Sequence, residues 1–261
     1  MVAVHPTAII ERGAELESGV TVGPYAVVGS QVVLESGVEL GPHAVLMGRT
    51  RIGQGTRISA HACLGGPPQH LEFDGENAEL HIGRENVIRE HVSIHVGTEE
   101  GDACTRIGDQ NLVMNGAHIA HDCRVGSGTV IASFSGLAGH AVVEDYAVLG
   151  AYTGIHQWAR VGESAMTAAG SKLSLDAPPF SLVAGDRARL VGLNTVGLAR
   201  RAFPELTLKA IKRAHRIVFA GGLGWEAALS QVDAELSHVP EVERWATFLR
   251  TSERGVCRSG R

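Results

Sequence analysis

Stepping by six from Ile10 lands on an aliphatic side chain every time through Leu64: Ile10, Leu16, Val22, Val28, Leu34, Leu40, Leu46, Ile52, Ile58, Leu64. Two residues before each stands a small or β-branched residue, from Ala8 and Ala14 to Thr56 and Ala62. The rhythm lapses over "GGPPQHLEFDGENAEL" and returns at Ile82, Ile88 and Ile94. It lapses again over "HVGTEEGDACTR", where the count slips by one residue, then runs from Ile107 to Val161, giving 23 hexads in all. Neither a 3.6-residue helix nor a two-residue strand alternation generates a strict six. Six residues make one short flat side, aliphatic inward, and three sides close a coil of 18 that stacks at the strand spacing of ~4.8 Å. The expected fold is mainly β, a parallel β-helix of triangular section with the two lapses thrown out as loops.

After "DAPPF" (176–180) the six-residue signal ends and helical spacing begins. Pro204 suits a first helical turn and Gly221-Gly222 a stop, with further helices expected over "WEAALSQVDAELSH" and "PEVERWATFLRTSER". The expected division is a β-helix over 1–186 and a helical domain over 187–261. The first part carries 10 Lys+Arg against 21 Asp+Glu, the second 13 against 7, so a body of net −11 bears a tail of net +6. Such a tail attracts acidic partners while the body repels them, and no nucleic-acid partner is expected. No apolar run approaches the ~20 residues of a transmembrane segment and no secretory leader follows Met1. Cys63, Cys104, Cys123 and Cys257 show no C-x-x-C pairing, which suits a reducing, cytoplasmic setting. Cys123 falls on a small inward position and reads as core.

Because three hexads complete a coil, "AHD" (120–122), "AGH" (138–140) and "HQW" (156–158) share one edge on three successive coils. His121, Asp122, Gly139, His140, His156 and Gln157 thus gather within about two rungs of ~4.8 Å each. One histidine there would be an ordinary solvated residue. Three with a carboxylate and an amide make a proton-transfer site. His118 precedes the inward Ile119 and faces outward. The one-residue slip puts His95 on the preceding side of the prism, where it meets this edge only across a subunit boundary.

These segments are familiar as a set. "HPTAI" (5–9), "IHVGT" (94–98), "NGAHIAHDC" (115–123), "LAGH" (137–140), "HQW", "DAPPF" and "GLARRAF" (197–203) together resemble the UDP-N-acetylglucosamine 3-O-acyltransferases that begin lipid A synthesis. The resemblance implies a left-handed β-helix, a homotrimer with active sites between subunits, no metal and no cofactor. It implies transfer of an (R)-3-hydroxyacyl group from acyl carrier protein to UDP-N-acetylglucosamine. In these roles His121 is the general base and Asp122 orients it. Gly139 lets a backbone N–H approach the oxyanion. By the same resemblance Gln69, His95, His118, His140, His156, Gln157, Asn194, Arg200 and Arg201 bind the substrates, and Ala169 is the acyl-chain ruler, its methyl favouring a medium chain. Lys209, Lys212, Arg213 and Arg216 recur at helical spacing and suit docking of the acidic carrier protein.

Three positions depart from the family pattern. His70 stands where the family has Asp, Glu72 where it has Lys, and Val196 where a Glu is common. The acceptor therefore stays open between the 3-hydroxyl sugar and a 3-amino sugar. A zinc carbonic anhydrase built on hexapeptide repeats is a rival reading, with His91, His118 and His121 as its histidines. A non-catalytic β-helix scaffold is another.

Overall fold

The computed structural model describes residues 1–74, 77–99 and 101–259; Gly75 and Glu76 of the first expected loop and Glu100 of the second lie outside them. Short strands, parallel but for the last, build three sheets of 11, 9 and 8 strands among the described residues, here called A, B and C, and within each prism sheet an inner strand pairs with one a coil earlier and one a coil later. Ile119 pairs with Leu137 and Leu137 with Ile155 in sheet B; Val125 pairs with Val143 in sheet C. Partners thus stand three hexads apart, as the sequence requires. Inward side chains such as Ile52, Leu80, Ile119, Ile131 and Leu137 are fully buried.

The corners carry the cost of closing the triangle. Non-glycine residues there take left-handed φ, 56° at Asp122, 61° at His140 and 64° at Trp158, a region that disfavours L-residues. Their N–H groups donate to the coil below, His140 to the His121 carbonyl, Trp158 to that of Gly139 and Asp122 to the Thr105 hydroxyl, which offsets the strain. At one corner the interior is polar. The Asn111 N–H donates to the Asn86 side-chain oxygen at 2.9 Å and the Thr129 N–H to that of Asn111 at 2.7 Å, so the backbone of this buried column is paired, while the Asn111 side-chain nitrogen has no partner among the described residues.

Both loops leave between sheets B and C, on consecutive coils. Ile52 pairs with Ile82 rather than with His70, where an unbroken coil would land, so the first loop adds twelve residues to its coil. The expected one-residue slip at the second loop does not occur. Ile82 pairs with Ile107, Ile88 with Val113 and Ile94 with Ile119, each 25 apart, so that loop adds seven. Ser93 therefore pairs with His118, and His95 belongs to the same side of the prism as His118 rather than the preceding one. Counting hexads misplaces it because an insertion of seven reads as a shift of one.

Strand Ser181–Ala184 continues sheet A, and Arg189–Leu193, past the expected boundary at 186, pairs with it antiparallel. Four helices follow: α1 (Thr195–Arg200), α2 (Glu205–Ala220), α3 (Trp225–Leu236) and α4 (Pro240–Arg250). The first has no signal in the six-residue or helical rhythm, and the last stops short of "TSER". Ile211, Ala214, Leu229, Val232, Trp245 and Phe248 make their common core. Arg160 pins this unit to the prism: its guanidinium meets Asp176 at 3.0 Å, donates to the Phe248 carbonyl at 2.8 Å and lies over the Phe248 ring. Arg244 reaches Glu163 at 3.2 Å, so part of the charge asymmetry is neutralised inside the molecule.

Truncating a wholly enclosed rung should cost far more than truncating one at the open end. Leu137→Ala is expected to lower stability by about 2–5 kcal/mol, and Ile10→Ala, which is only partly buried, by clearly less; denaturant unfolding of the two variants checks the order.

Candidate active site

The column on the B/C corner forms as the stride predicts. His121 follows strand His118–Ile119, and a Cβ on Gly139, one rung on, would come within 2.5 Å of the His121 ring. Only a glycine lets that imidazole pack flat beneath the next coil. Asp122 and His121 are both buried. The Asp122 carboxylate receives the Thr98 N–H at 3.1 Å and the Thr98 hydroxyl at 2.8 Å, and it faces His121 Nδ1 at 2.8 Å. Its own N–H donates to the Thr105 hydroxyl at 2.8 Å. An ionised carboxylate only accepts, so Nδ1 is the donor in this pair, and in the neutral imidazole that leaves Nε2 as the acceptor.

Thr98 and Thr105 carry no mark in the sequence reading. Thr98 closes the "IHVGT" segment, but only the seven-residue loop brings it onto Asp122. Gly101 in that loop lies so close that a Cβ there would sit 2.4 Å from the carboxylate. The Gly139 N–H has no hydrogen-bond partner among the described residues, whereas its neighbours donate to Ile155 (from Ala138) and His121 (from His140).

Imidazoles crowd His121. His95 and His118 meet at 4.8 Å between ring centroids, within one chain, and the Ser93 hydroxyl bonds His118 Nδ1 at 2.8 Å. The His140 ring stands 5.2 Å from that of His121 and stacks on Trp158 at 3.8 Å. His70, from the first loop, comes to 5.6 Å of His121 on another flank. His156 and Gln157 complete the column but are exposed, as is Gln69 in the loop. His91 lies at the other end of sheet B, stacked on His61 at 5.0 Å, so one chain does not gather His91 with His118 and His121. On the outer face of sheet C, donor atoms of Glu79, His81 and Cys104 fall within 4.8 Å of one another, which is the spacing a metal ion would need.

The tail residues are placed differently. Asn194 caps α1: its oxygen accepts the Gly197 N–H at 3.0 Å and its amide donates to the Ser164 carbonyl at 3.0 Å. Arg201 is held by Glu163 at 2.9 Å and Ser164 at 2.7 Å, with its guanidinium 3.6 Å from the Tyr146 ring centre. Arg200 is exposed and makes no ion pair among the described residues. On α2, Lys209 pairs with Glu205 and Arg213 with Glu235, leaving Lys212 and Arg216 as the free charges of that face among the described residues. Ala169 is exposed on the A/B edge, three coils beyond His121.

Burial, followed by the charges of His118 and His121, pushes His95 from its ordinary 6.5 down to about 4, and burial also lowers His118. Both are neutral near pH 7. In the unfolded chain they take up protons below about 6.5, so the folded state loses stability as pH falls from there toward 4. His95→Asn should flatten that acid decline, which melting temperatures between pH 7 and 4 would show.

A family model described as UDP N-acetylglucosamine O-acyltransferase, domain 2, matches residues 176–257, and one of bacterial transferase hexapeptide repeats matches residues 104–139. A relative from Anaeromyxobacter dehalogenans, named acyl-acyl-carrier-protein–UDP-N-acetylglucosamine O-acyltransferase, is 47% identical over 98% of this chain and 100% of its own length. LpxA from Acinetobacter baumannii superposes with a TM-score of 0.94 at 38% identity, covering 98% of this chain and 99% of that one. The UDP-N-acetylglucosamine acyltransferase from Campylobacter jejuni does so at 0.93 and 34%, covering 99% and 100%. The architecture is accordingly the left-handed parallel β-helix of hexapeptide repeats followed by a few helices. With a buried His–Asp pair on its coil edge and likeness along nearly its whole length, this chain belongs to the UDP-N-acetylglucosamine O-acyltransferase family.

Proposed function

We propose that the protein transfers an (R)-3-hydroxyacyl group from acyl carrier protein to the 3-position of UDP-N-acetylglucosamine, the first step of lipid A synthesis. The observation that carries this reading is the His121–Asp122–Thr98 chain of hydrogen bonds beneath the Gly139 N–H. In the proposed reaction His121 Nε2 takes the proton of the sugar hydroxyl as its oxygen attacks the thioester carbonyl. The Gly139 N–H donates to the oxyanion, and Asp122 stabilises the imidazolium. Collapse breaks the carbon–sulfur bond, and His121 returns the proton to the departing thiolate. The His95–His118 pair, uncharged near pH 7, suits hydrogen bonding to a neutral sugar. His140, His156, Gln157, Gln69 and Arg200 are candidates to hold the rest of the sugar nucleotide. Asn194 and Arg201 would act chiefly by shaping its pocket, since the one caps a helix and the other braces Glu163.

The proposed assembly is a homotrimer working in the cytoplasm, with the body over 1–186 and the helical domain over 187–261 as separate functional parts. Ala169 lies beyond the reactive column in the direction of the later coils, as a ruler for the acyl chain should. Lys212 and Arg216 are proposed as the core of the carrier-protein contact. His70 beside the base favours keeping the 3-amino sugar as a second acceptor, because an imidazole there, unlike a carboxylate, does not hold that amine as an unreactive ammonium.

His121→Ala should reduce turnover about 10²–10⁴-fold with the melting temperature little changed, measured by weighing the products formed from both acceptors and a pool of acyl donors. Retained turnover would remove His121 from the role of base. Reversing Lys212 and Arg216 together to Glu should raise KM for the carrier-bound donor and leave that for the sugar nucleotide alone. Unmoved donor kinetics would place the docking surface elsewhere.

A further inference from the structure

Both insertions return to the prism at one place. The first re-enters on strand Glu79–Ile82 and the second on strand Cys104–Ile107, and these strands pair in parallel with Glu79 opposite Cys104 and His81 opposite Arg106. Alternation turns Leu80, Ile82, Thr105 and Ile107 inward, all of them buried, and leaves Glu79, His81, Cys104 and Arg106 on the outer face of sheet C. Cys104 is nevertheless only 3% exposed, a covered thiol between half-buried polar neighbours. A carboxylate oxygen of Glu79, a ring nitrogen of His81 and the Cys104 sulfur lie within 4.8 Å of one another. His81 Nε2 faces Glu79 Oε2 at 2.7 Å, and the Arg106 guanidinium approaches Nδ1 at 3.3 Å. A hydrogen-bonded His81–Glu79 pair accounts for two of these side chains and gives the sulfur no part. The thiol itself makes only a weak bond, to the Thr105 carbonyl at 3.5 Å.

Thiolate, imidazole and carboxylate on one small patch are the ligand set of a four-coordinate zinc-class ion, with water in the fourth position, and not of magnesium or calcium, which take oxygen. We propose that Cys104, His81 and Glu79 bind one thiophilic divalent cation of the zinc class, which clasps the two strands where the insertions rejoin the coils. Binding forms a bond from the cation to Cys104 Sγ and releases the thiol proton to water. Burial pushes the Cys104 thiol up, so the cation has to displace that proton. His81 ligates through Nε2, the nitrogen turned toward Glu79, and its ring proton then resides on Nδ1. Arg106 opposes this arrangement, being a donor aimed at Nδ1 and a positive charge beside the ion; it is exposed and turns away into solvent. Thiolate and carboxylate together cancel the charge of the ion. The second insertion carries Thr98 and ends at Cys104, so the clasp fixes that end of the segment. Nothing in this site depends on the acyl-transfer reading.

The test uses the full chain, stripped by a chelator and titrated with cobalt(II), which reports thiolate ligation as a near-ultraviolet charge-transfer band. One equivalent should produce the band and zinc should abolish it by displacement. Exposed histidines and the cluster of His121, Asp122 and His140 hold no sulfur and give no such band. Cys104→Ser should remove it and Cys63→Ser should leave it. His81→Ala and Glu79→Gln should each weaken cobalt binding about tenfold or more, and Arg106→Gln should strengthen it. Zinc should raise the melting temperature of the unaltered chain and not that of Cys104→Ser. No band in the unaltered chain overturns the proposal, as does a band that survives Cys104→Ser. His81 is partly exposed, so His81→Ala decides the matter even where Cys104→Ser fails to fold: cobalt binding indifferent to it removes the imidazole and the site with it. If Arg106→Gln binds no more tightly, Nε2 is not the ligating nitrogen and the assignment falls. Binding without thermal stabilisation refutes the clasp.

Discussion

Closure of three flat sides into one coil is the constraint on which everything else depends. Each strand is too short to be stable by itself, and each is stable only because the coil above and the coil below supply its hydrogen-bond partners. The inward aliphatic and the small residue two before it are the minimum that fills a triangular interior without forcing it open. Left-handed corners follow from the same demand, and residues as bulky as Trp158 accept that conformation because the coil below receives their N–H groups.

The site exploits this rigidity and then departs from it. Vertical stacking sets His121 under Gly139 with no freedom to drift, a placement that owes nothing to side-chain flexibility. The orienting groups, by contrast, come from segments that break the rhythm. Thr98 reaches Asp122 from one loop and His70 approaches His121 from the other. A fixed imidazole is therefore met by parts that the coil does not constrain, and both loops leave the corner at which that imidazole stands.

Much of this is legible in the order of residues. The period of six yields the prism, the three-hexad stride yields the column of His121, Gly139 and Gln157, and composition marks where helices begin. What escapes has a common cause, which is that periodicity says nothing about chain outside the period. The length of the second loop cannot be told from a slip of one, so hexad counting sets His95 on the wrong side. Thr98 and Thr105 carry no signal of their own, since a threonine becomes a carboxylate's partner only through contacts distant in sequence. Helix α1 is six residues long and begins with an Asn cap, too short for a helical rhythm to register. The pairing of the Arg201 guanidinium with Glu163 is likewise invisible until the chain is folded.

The neutral accommodation of both insertions bears on how such a scaffold changes over time. Twelve residues enter one coil and seven the next, yet the rungs resume opposite their partners as though nothing had intervened. Lengthening, shortening or exchanging those segments leaves the load on the stacked rungs untouched as long as the chain re-enters at the same phase. Selection can thus rework the chemistry around an immobile imidazole while the frame that holds it stays the same.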